Sequence, residues 1–168
     1  MPTKLYAEDE RGGVKAPWEA ITYKINGAAM AVHRRLGPGY PEAVYQRELE
    51  LEFPNPKWGL SFEHQKWIEV YDNGVLVGFY ILDFLMESVV VVEIKALRVL
   101  NNSHEAQVIT YLIATGCPVV LLLNFGERSL RFKRILPPSK VAEHRINRQW
   151  LFVPDWLAAQ RATPKPSA

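Results

Sequence analysis

The sequence predicts an α/β fold in which a mixed β-sheet is flanked by helices, and three observations support this prediction. Apolar residues recur first with helical spacing, then alternate as in strands, and later return to helix and strand in turn. A strong hairpin signal separates the first two strands, and a continuous apolar run marks an interior strand. The resulting order, α-α-β-β-β-α-β-β, favours one sheet with helices on its faces.

The chain of 168 residues has the length of one domain, and its 48% hydrophobic and 23% charged residues are enough for a buried core. We expect a flexible arm over residues 1–16, one domain over residues 17–160 and a tail over residues 161–168. The longest apolar runs are strand-sized, so no membrane span is expected. The N-terminus lacks the apolar stretch of a signal peptide, and Cys117 is the only cysteine. These features indicate a cytoplasmic protein.

Two helices are predicted at the start of the domain. Residues 18–36 have helical spacing and stop at the Gly-Pro-Gly sequence of residues 37–39. Pro41 suits the first position of a second helix, which extends to about Phe53. The Asn-Pro sequence at residues 55–56 then breaks the helical pattern.

The remaining elements are mainly strands. Asp-Asn-Gly at residues 72–74 is a hairpin turn between strands over 61–71 and 75–86. An interior strand covers 89–97, and Asn102 or Ser103 caps a helix that ends at Gly116. The last elements are a buried strand, a basic strand and a weaker helical candidate, over residues 118–125, 129–136 and 146–160.

Three charged residues, Asp83, Glu93 and Lys95, interrupt strands that are otherwise apolar. Such residues are almost never fully buried unless they are paired. Glu93 and Lys95 are two positions apart in a strand, so their side chains share one face. If Asp83 lies opposite Glu93, the loop between the strands has an odd length, such as residues 87–89, with Met86 opposite Val90.

Two carboxylates side by side repel each other unless a cation lies between them. A hard divalent ion such as Mg²⁺ meets that requirement with one or two carboxylates and water. The alternative is a buried Asp–Lys–Glu salt-bridge cluster that only fixes the strand register.

The spacing of Asp83 and the Glu93-Ile94-Lys95 triplet resembles the core of PD-(D/E)XK nucleases. The preceding segment, Gly39-Tyr40-Pro41-Glu42-Ala43-Val44-Tyr45, resembles the GxxExxY branch of that superfamily. Residues 32–45, 101–112 and 121–126 extend the resemblance, which covers about residues 18–137. It implies a restriction-endonuclease-like core.

The resemblance also implies roles. Asp83 and Glu93 would hold Mg²⁺ or Mn²⁺, and Lys95 would position the attacking water or stabilise charge. Glu42 matches an acidic residue that the family places on an earlier helix, and its alternative is a favourable charge near a helix N-terminus. Gln107 and Tyr111 share a helix face and resemble a QxxxY element of some of these nucleases. Their alternative is a polar edge beside a buried tyrosine.

The segment from Arg128 to Arg148 holds seven basic residues and one acid, which gives it a charge of +6 within a chain of +2. A basic segment can hold a nucleic-acid backbone without sequence preference, or it is a solvated strand face and helix end. The candidate nucleic-acid-binding residues are Arg128, Arg131, Lys133 and Arg134.

Three functions therefore compete. The first is metal-dependent hydrolysis of phosphodiester bonds in nucleic acid, DNA or RNA. The second is a nucleic-acid- or partner-binding module with little or no catalytic activity, and the third is a phosphodiesterase for a small nucleotide. An intact acid–acid–lysine set argues against the second. Enzymes with a bare D…ExK core often work as dimers, so a homodimer is considered and the oligomeric state stays open.

Overall fold

The computed structural model of the chain describes residues 7–8, 14–15, 18–72 and 74–137. In these ranges a mixed five-stranded sheet carries helices on both faces, which confirms the predicted fold class. The elements are β1 (Ala7–Glu8), β2 (Val14–Lys15), α1 (Trp18–Leu36), α2 (Glu42–Glu52), β3 (Phe62–Asp72), β4 (Val75–Met86), β5 (Val90–Lys95), α3 (Asn102–Thr115), β6 (Val119–Asn124) and β7 (Arg131–Ile135).

The five-stranded sheet has the order β3-β4-β5-β6-β7. Strands β5 and β6 are parallel, and every other neighbouring pair is antiparallel. A parallel pair needs a crossover connection, which α3 supplies. Strands β5 and β6 lie in the interior, and all of their residues except Lys95 are buried.

Two hydrophobic cores lie on opposite faces of this sheet. Helices α1 and α2 cover one face, where Ile25 and Leu49 pack against Val92 of β5. Helix α3 covers the other face, where Leu112 packs in the same cluster as Val91. Since successive residues of a strand point to opposite faces, one central strand serves both cores.

The structure differs from the sequence predictions at the element ends. Asn101 caps α3, instead of Asn102 or Ser103, because its side chain accepts a hydrogen bond from the Ser103 N–H at 3.0 Å. Pro41 occupies the N-cap of α2 and not its first helical position. The short pair β1–β2, within the predicted arm, was not anticipated. The helical candidate over residues 146–160 lies outside the described residues. No helix in the described ranges is long and apolar enough to cross a membrane.

In strands β3 and β4, the alternation of side chains between the two faces of the sheet is interrupted at one level. Leu82 and Leu85 pack in the same core, although a regular strand would point residues three apart to opposite faces, and Phe84 packs in the other core. The register between the two strands lacks only one pair there, Gln65 with Asp83, and Gln65 has a φ of 53°. The side chains of both strands therefore change sheet faces at this level, which is Gln65 in β3 and Asp83 in β4.

Candidate active site between strands β4 and β5

Asp83 lies where β4 separates from β5. The ladder between these strands begins at the pair Phe84–Val92, one residue after Asp83. Instead of a strand carbonyl, the carboxylate oxygen Oδ2 of Asp83 accepts the hydrogen bond of the Ile94 N–H, at 2.8 Å. Burial raises the pKa of Asp83, and this hydrogen bond opposes the rise. Where the ladder between the two strands ends, the Asp83 carboxylate is therefore hydrogen-bonded to the backbone of β5.

The strand register agrees with the sequence prediction. Met86 pairs with Val90, and residues 87–89 form the loop between the strands. Glu93 and Lys95 share a face, because Nζ of Lys95 lies 3.5 Å from Oε1 of Glu93. The prediction that Glu93 and Lys95 lie on the same face of the strand is therefore confirmed.

The negative charge of the Glu93 carboxylate is not fully compensated by its surroundings. The residue is 6% exposed, and its oxygen Oε2 is buried without a hydrogen-bond partner among the described residues. Burial and, after it, the charge of Asp83 raise the pKa of Glu93, Lys95 opposes both effects, and the net result is a pKa of about 8. One lysine does not compensate both the buried Glu93 and the partly buried Asp83, so at neutral pH the cluster favours a proton or another cation.

Glu42 adds a third negative charge to this region from the start of α2. It raises the pKa of both Asp83 and Glu93. The neighbouring motif residues fix the turn before it: Gly39 has a φ of 111°, which favours glycine. The Tyr45 hydroxyl donates to the Gly37 carbonyl at 2.6 Å and accepts from the Tyr40 N–H at 3.2 Å. The GxxExxY pattern therefore sets the position at which Glu42 begins its helix.

Tyr111 and Gln107, the two residues of the QxxxY-like element, differ in their burial. Tyr111 is buried and contacts Tyr80 edge to face, with ring centroids 5.2 Å apart. Burial, then Glu93 and Asp83, raise the pKa of the Tyr111 hydroxyl, so it stays protonated beside the two acids. Gln107 is exposed, and its side chain has no hydrogen-bond partner in the described ranges. The structure brings only Tyr111 to the carboxylates.

His64 lies in the same region, although no role was predicted for it from the sequence. It lies opposite Phe84 in the hairpin and lowers the pKa of Asp83. Its Nδ1 lies 2.8 Å from Oε1 of Glu50, and its Nε2 lies 3.1 Å from Oε1 of Gln46. Counting back across the Asp-Asn-Gly turn would have placed His64 next to Asp83, and this was the available signal.

Three of the four candidate nucleic-acid-binding residues have internal partners. Nη1 of Arg131 lies 3.4 Å from Oε1 of Glu127, and Lys133 forms an ion pair with Glu105. The guanidinium of Arg134 lies 5.3 Å from the ring centre of Trp18. Arg128 is exposed on the loop after β6, and the structure shows no partner for it among the described residues. The remaining basic residues of the segment, Lys140, Arg145 and Arg148, lie outside the described residues.

The residues present suit a hard divalent cation in part. Carboxylate oxygens are the ligands that Mg²⁺ and Mn²⁺ prefer, and Glu93 offers an oxygen without a partner. Within the described ranges, however, no three His, Cys, Asp or Glu side chains are placed to hold a metal ion together. Mg²⁺ commonly uses one or two carboxylates and completes its shell with water, so Asp83 and Glu93 are sufficient in number.

Comparison with known proteins agrees with this geometry. The family model of the PD-(D/E)XK nuclease superfamily matches residues 19–135, which include every strand of the five-stranded sheet. Neither the curated proteins nor the solved structures yield a match. The match covers more than half of the chain and all three residues of the acid–acid–lysine cluster.

Proposed function

The chain belongs to the PD-(D/E)XK nuclease superfamily, and from this membership we propose that it hydrolyses phosphodiester bonds in nucleic acid with a divalent metal ion. The observation that carries the proposal is the buried Oε2 of Glu93, which lacks a hydrogen-bond partner in the described structure. A cluster that served only as a salt bridge would satisfy its buried oxygens. An unsatisfied one beside a second acid favours a site that awaits a cation.

Asp83 and Glu93 would hold Mg²⁺ or Mn²⁺, and Glu42 is proposed as a further acidic ligand from α2. When bound, the ion supplies Lewis-acid activation of water and neutralises charge on the phosphate. The Ile94 N–H keeps the Asp83 carboxylate oriented without the ion, since their hydrogen bond is 2.8 Å long. The protein thus holds its ligands in place before substrate arrives, which limits reorganisation during the reaction.

Lys95 provides the fixed positive charge of the reaction. Its side chain is 15% exposed and lies beside Glu93, so its ammonium acts where little water screens it. There it stabilises the negative charge that grows on the phosphate. The protonated hydroxyl of Tyr111 is a hydrogen-bond donor for the same charge, and Gln107 is proposed to contact substrate from its exposed position in α3.

The finer assignments are also part of the proposal. The Gly39–Tyr45 motif supports membership of the GxxExxY branch, because its glycine, glutamate and tyrosine each have a local function in the structure. The substrate is proposed to be DNA or RNA, and the place of action the cytoplasm. Cys117, a buried free thiol, agrees with a reducing compartment.

The experiment is incubation of the purified protein with single-stranded DNA, double-stranded DNA and RNA in Mg²⁺, Mn²⁺ or a chelator. We expect cleavage of at least one substrate that needs the metal ion and is lost in Lys95→Ala. Equal cleavage by the wild-type and Lys95→Ala proteins would show a contaminating nuclease. Binding without cleavage in either metal would favour the binding module on the same fold.

The homodimer is proposed to form through the outer part of the β3–β4 hairpin. One face of this hairpin packs against α3, whereas the other exposes Trp67 and Phe79, which are 58% and 54% exposed and stacked with ring centroids 4.6 Å apart. A sheet face in contact with water normally carries polar residues. The exposed large apolar side chains of the hairpin are Trp67, Val75, Leu76, Val77, Phe79 and Ile81.

A second copy of the chain is the proposed occupant of this face. Trp67, Phe79 and Ile81 share this face, since Trp67 pairs with Ile81 and Phe79 lies two residues away, whereas the consecutive Val75, Leu76 and Val77 divide between the two faces. The exposed apolar surface of this face is therefore part of the roughly 800 Å² that each partner contributes to a standard interface. A two-fold interface needs one patch that is complementary to itself, and a flat apolar ribbon meets that condition. Among the described strands, β3 is also at an edge of the sheet, and its outer edge has no strand partner there.

A further inference from the structure

A cavity of about 260 Å³ lies between the C-terminal end of α1 and the loop from β6 to β7. Arg34 enters it from the helix, and Arg128 and Ser129 enter from the loop. Both arginines are exposed, and neither has an ion-pair or hydrogen-bond partner within the described part of the chain. The residues that line the cavity are Met30, His33, Arg34, Arg128, Ser129 and Leu130. The cavity therefore holds two guanidinium groups whose charge is not compensated.

The neighbouring basic residues do not share this property. Nη1 of Arg35 lies 3.1 Å from Oε2 of Glu52, and Nη2 lies 3.6 Å from Oε2 of Glu48. The basic side chains of β7 are likewise occupied by Glu127, Glu105 and the Trp18 ring. Among the described residues, uncompensated positive charge on this side of the structure therefore lies mainly at the cavity, and not along β7, where the sequence analysis expected it.

The two walls of the cavity are fixed to each other. His33 is buried, and its Nε2 donates a hydrogen bond to the Glu127 carbonyl oxygen at 3.0 Å. The carboxylate of Glu127 accepts from Nδ2 of Asn124 at 2.7 Å, so this acid is turned toward the loop itself. Arg128, the next residue, is consequently held near Arg34. Two arginines on a fixed frame lose less freedom when they bind a common ligand.

Both walls of the cavity are connected through the chain to elements that carry the carboxylate cluster. The loop begins at Asn124, which pairs with Lys95, and the Phe125 N–H donates to the Lys95 carbonyl at 2.8 Å. On the other wall, α1 continues through the turn over residues 37–41 into Glu42. Both walls therefore lead directly to residues of the candidate active site.

We propose that Arg34, Arg128 and Ser129 form a binding subsite for a backbone phosphate of the nucleic acid, next to the phosphate that is cleaved. Guanidinium groups bind phosphate oxygens through paired, charge-assisted hydrogen bonds, and the serine hydroxyl adds a donor. Such contacts position a nucleic acid without reading its sequence. The inference depends on the proposed function, since a chain that does not act on nucleic acid has no use for this subsite.

The test measures binding of a fluorescent single-stranded oligonucleotide and a duplex, in Ca²⁺ to hold the strand without rapid turnover, over a series of salt concentrations. Arg34→Ala with Arg128→Ala should weaken binding to all sequences alike and lower the slope of log K against log salt by about 1, the contribution of one neutralised phosphate. Arg34→Lys with Arg128→Lys keeps the charge and should restore most of the slope.

Arg131→Ala with Lys133→Ala is the matched control, because it removes the same charge from β7. We expect a clearly smaller change in slope for this pair. An equal change would show general electrostatic attraction and overturn the subsite. If the wild-type protein binds and cleaves nucleic acid and the cavity pair binds as well as wild type, the subsite alone is refuted. A wild-type protein that binds no nucleic acid would refute both the subsite and the proposed function.

Discussion

Replacing Glu93 by glutamine should change how the stability of the metal-free protein depends on pH. Burial, followed by the charge of Asp83, outweighs the effect of Lys95 and raises the pKa of Glu93 from its usual 4.5 to about 8 in the folded protein. Between these values the native protein keeps a proton that the unfolded chain releases, so the free energy of unfolding falls as the pH rises. Below about pH 4.5 both states are protonated and the contribution is absent, whereas above about pH 8 the loss is complete.

The magnitude follows from the same two values. Each pH unit between them corresponds to about 1.4 kcal/mol, which gives an upper limit of roughly 5 kcal/mol for the whole rise from 4.5 to about 8. We expect at least about 2 kcal/mol of this loss to be measurable between about pH 5 and pH 8. Asp83, whose pKa is also raised, contributes in the same direction and remains in the variant.

The assay is urea unfolding followed by circular dichroism, with a chelator present and constant ionic strength, at several pH values across this range. Wild-type stability should fall with rising pH, and Glu93→Gln should show a distinctly flatter profile. Glu63→Gln removes an exposed acid and is the control that should keep the wild-type slope. Parallel profiles for wild type and Glu93→Gln would refute the strained, charge-deficient site. A large loss of stability in Glu93→Gln at every pH would instead indicate a salt-bridge cluster that depends on its pairing with Lys95.

Three further outcomes are expected. Mg²⁺ or Mn²⁺ at about 10 mM should stabilise the native protein by about 1.4 kcal/mol if its Kd is about 1 mM, a rise in Tm of roughly 3–6 °C. Differential scanning fluorimetry should show no such rise in Asp83→Asn or with a monovalent salt of equal ionic strength, and an equal rise there would contradict the site. Trp67→Ser with Phe79→Ser should convert a dimer to a monomer in light scattering of the full chain, and a monomeric wild type at high concentration would contradict the hairpin interface. Gly126→Ala should lower the Tm clearly, because its Cβ would lie 2.4 Å from the backbone N and O of Leu97, and an unchanged Tm would show that this loop is loosely held.

From α1 to β7 the sequence predicted the element order and most boundaries, because the apolar periodicity in this part of the chain is strong and the breaks are explicit. Helix α1 and strand β4 begin and end at the expected residues. The Gly-Pro-Gly and Asp-Asn-Gly sequences leave few alternatives at the turns. At α3, by contrast, two adjacent asparagines suit the cap equally well by residue type, and only the three-dimensional hydrogen bond to Ser103 selects Asn101.

The candidate site was predictable where it depended on strand spacing and not where it depended on partners. Alternation placed Glu93 and Lys95 together, and loop length set the register of Met86 with Val90. The change of sheet face at the level of Gln65 and Asp83 depends on the positive φ of Gln65. A glutamine in the sequence does not predict a positive φ, because this conformation is uncommon for residues other than glycine. Similarly, a run of basic residues gives no information on which of them meet acids, so the pairing of Arg131 and Lys133 required the fold.

The most direct test of the central claim is the single-turnover cleavage rate of the best nucleic-acid substrate as Mg²⁺ or Mn²⁺ is titrated. Wild-type activity should rise with the metal ion and saturate. Lys95→Ala should reduce the saturated rate by about 10²–10³, the usual effect of losing one electrostatic stabiliser. Asp83→Asn and Glu93→Gln should abolish most activity, with a weaker response to metal wherever a residual rate can be measured. A metal-independent rate, or full activity in Asp83→Asn and Glu93→Gln, would contradict hydrolysis at this cluster.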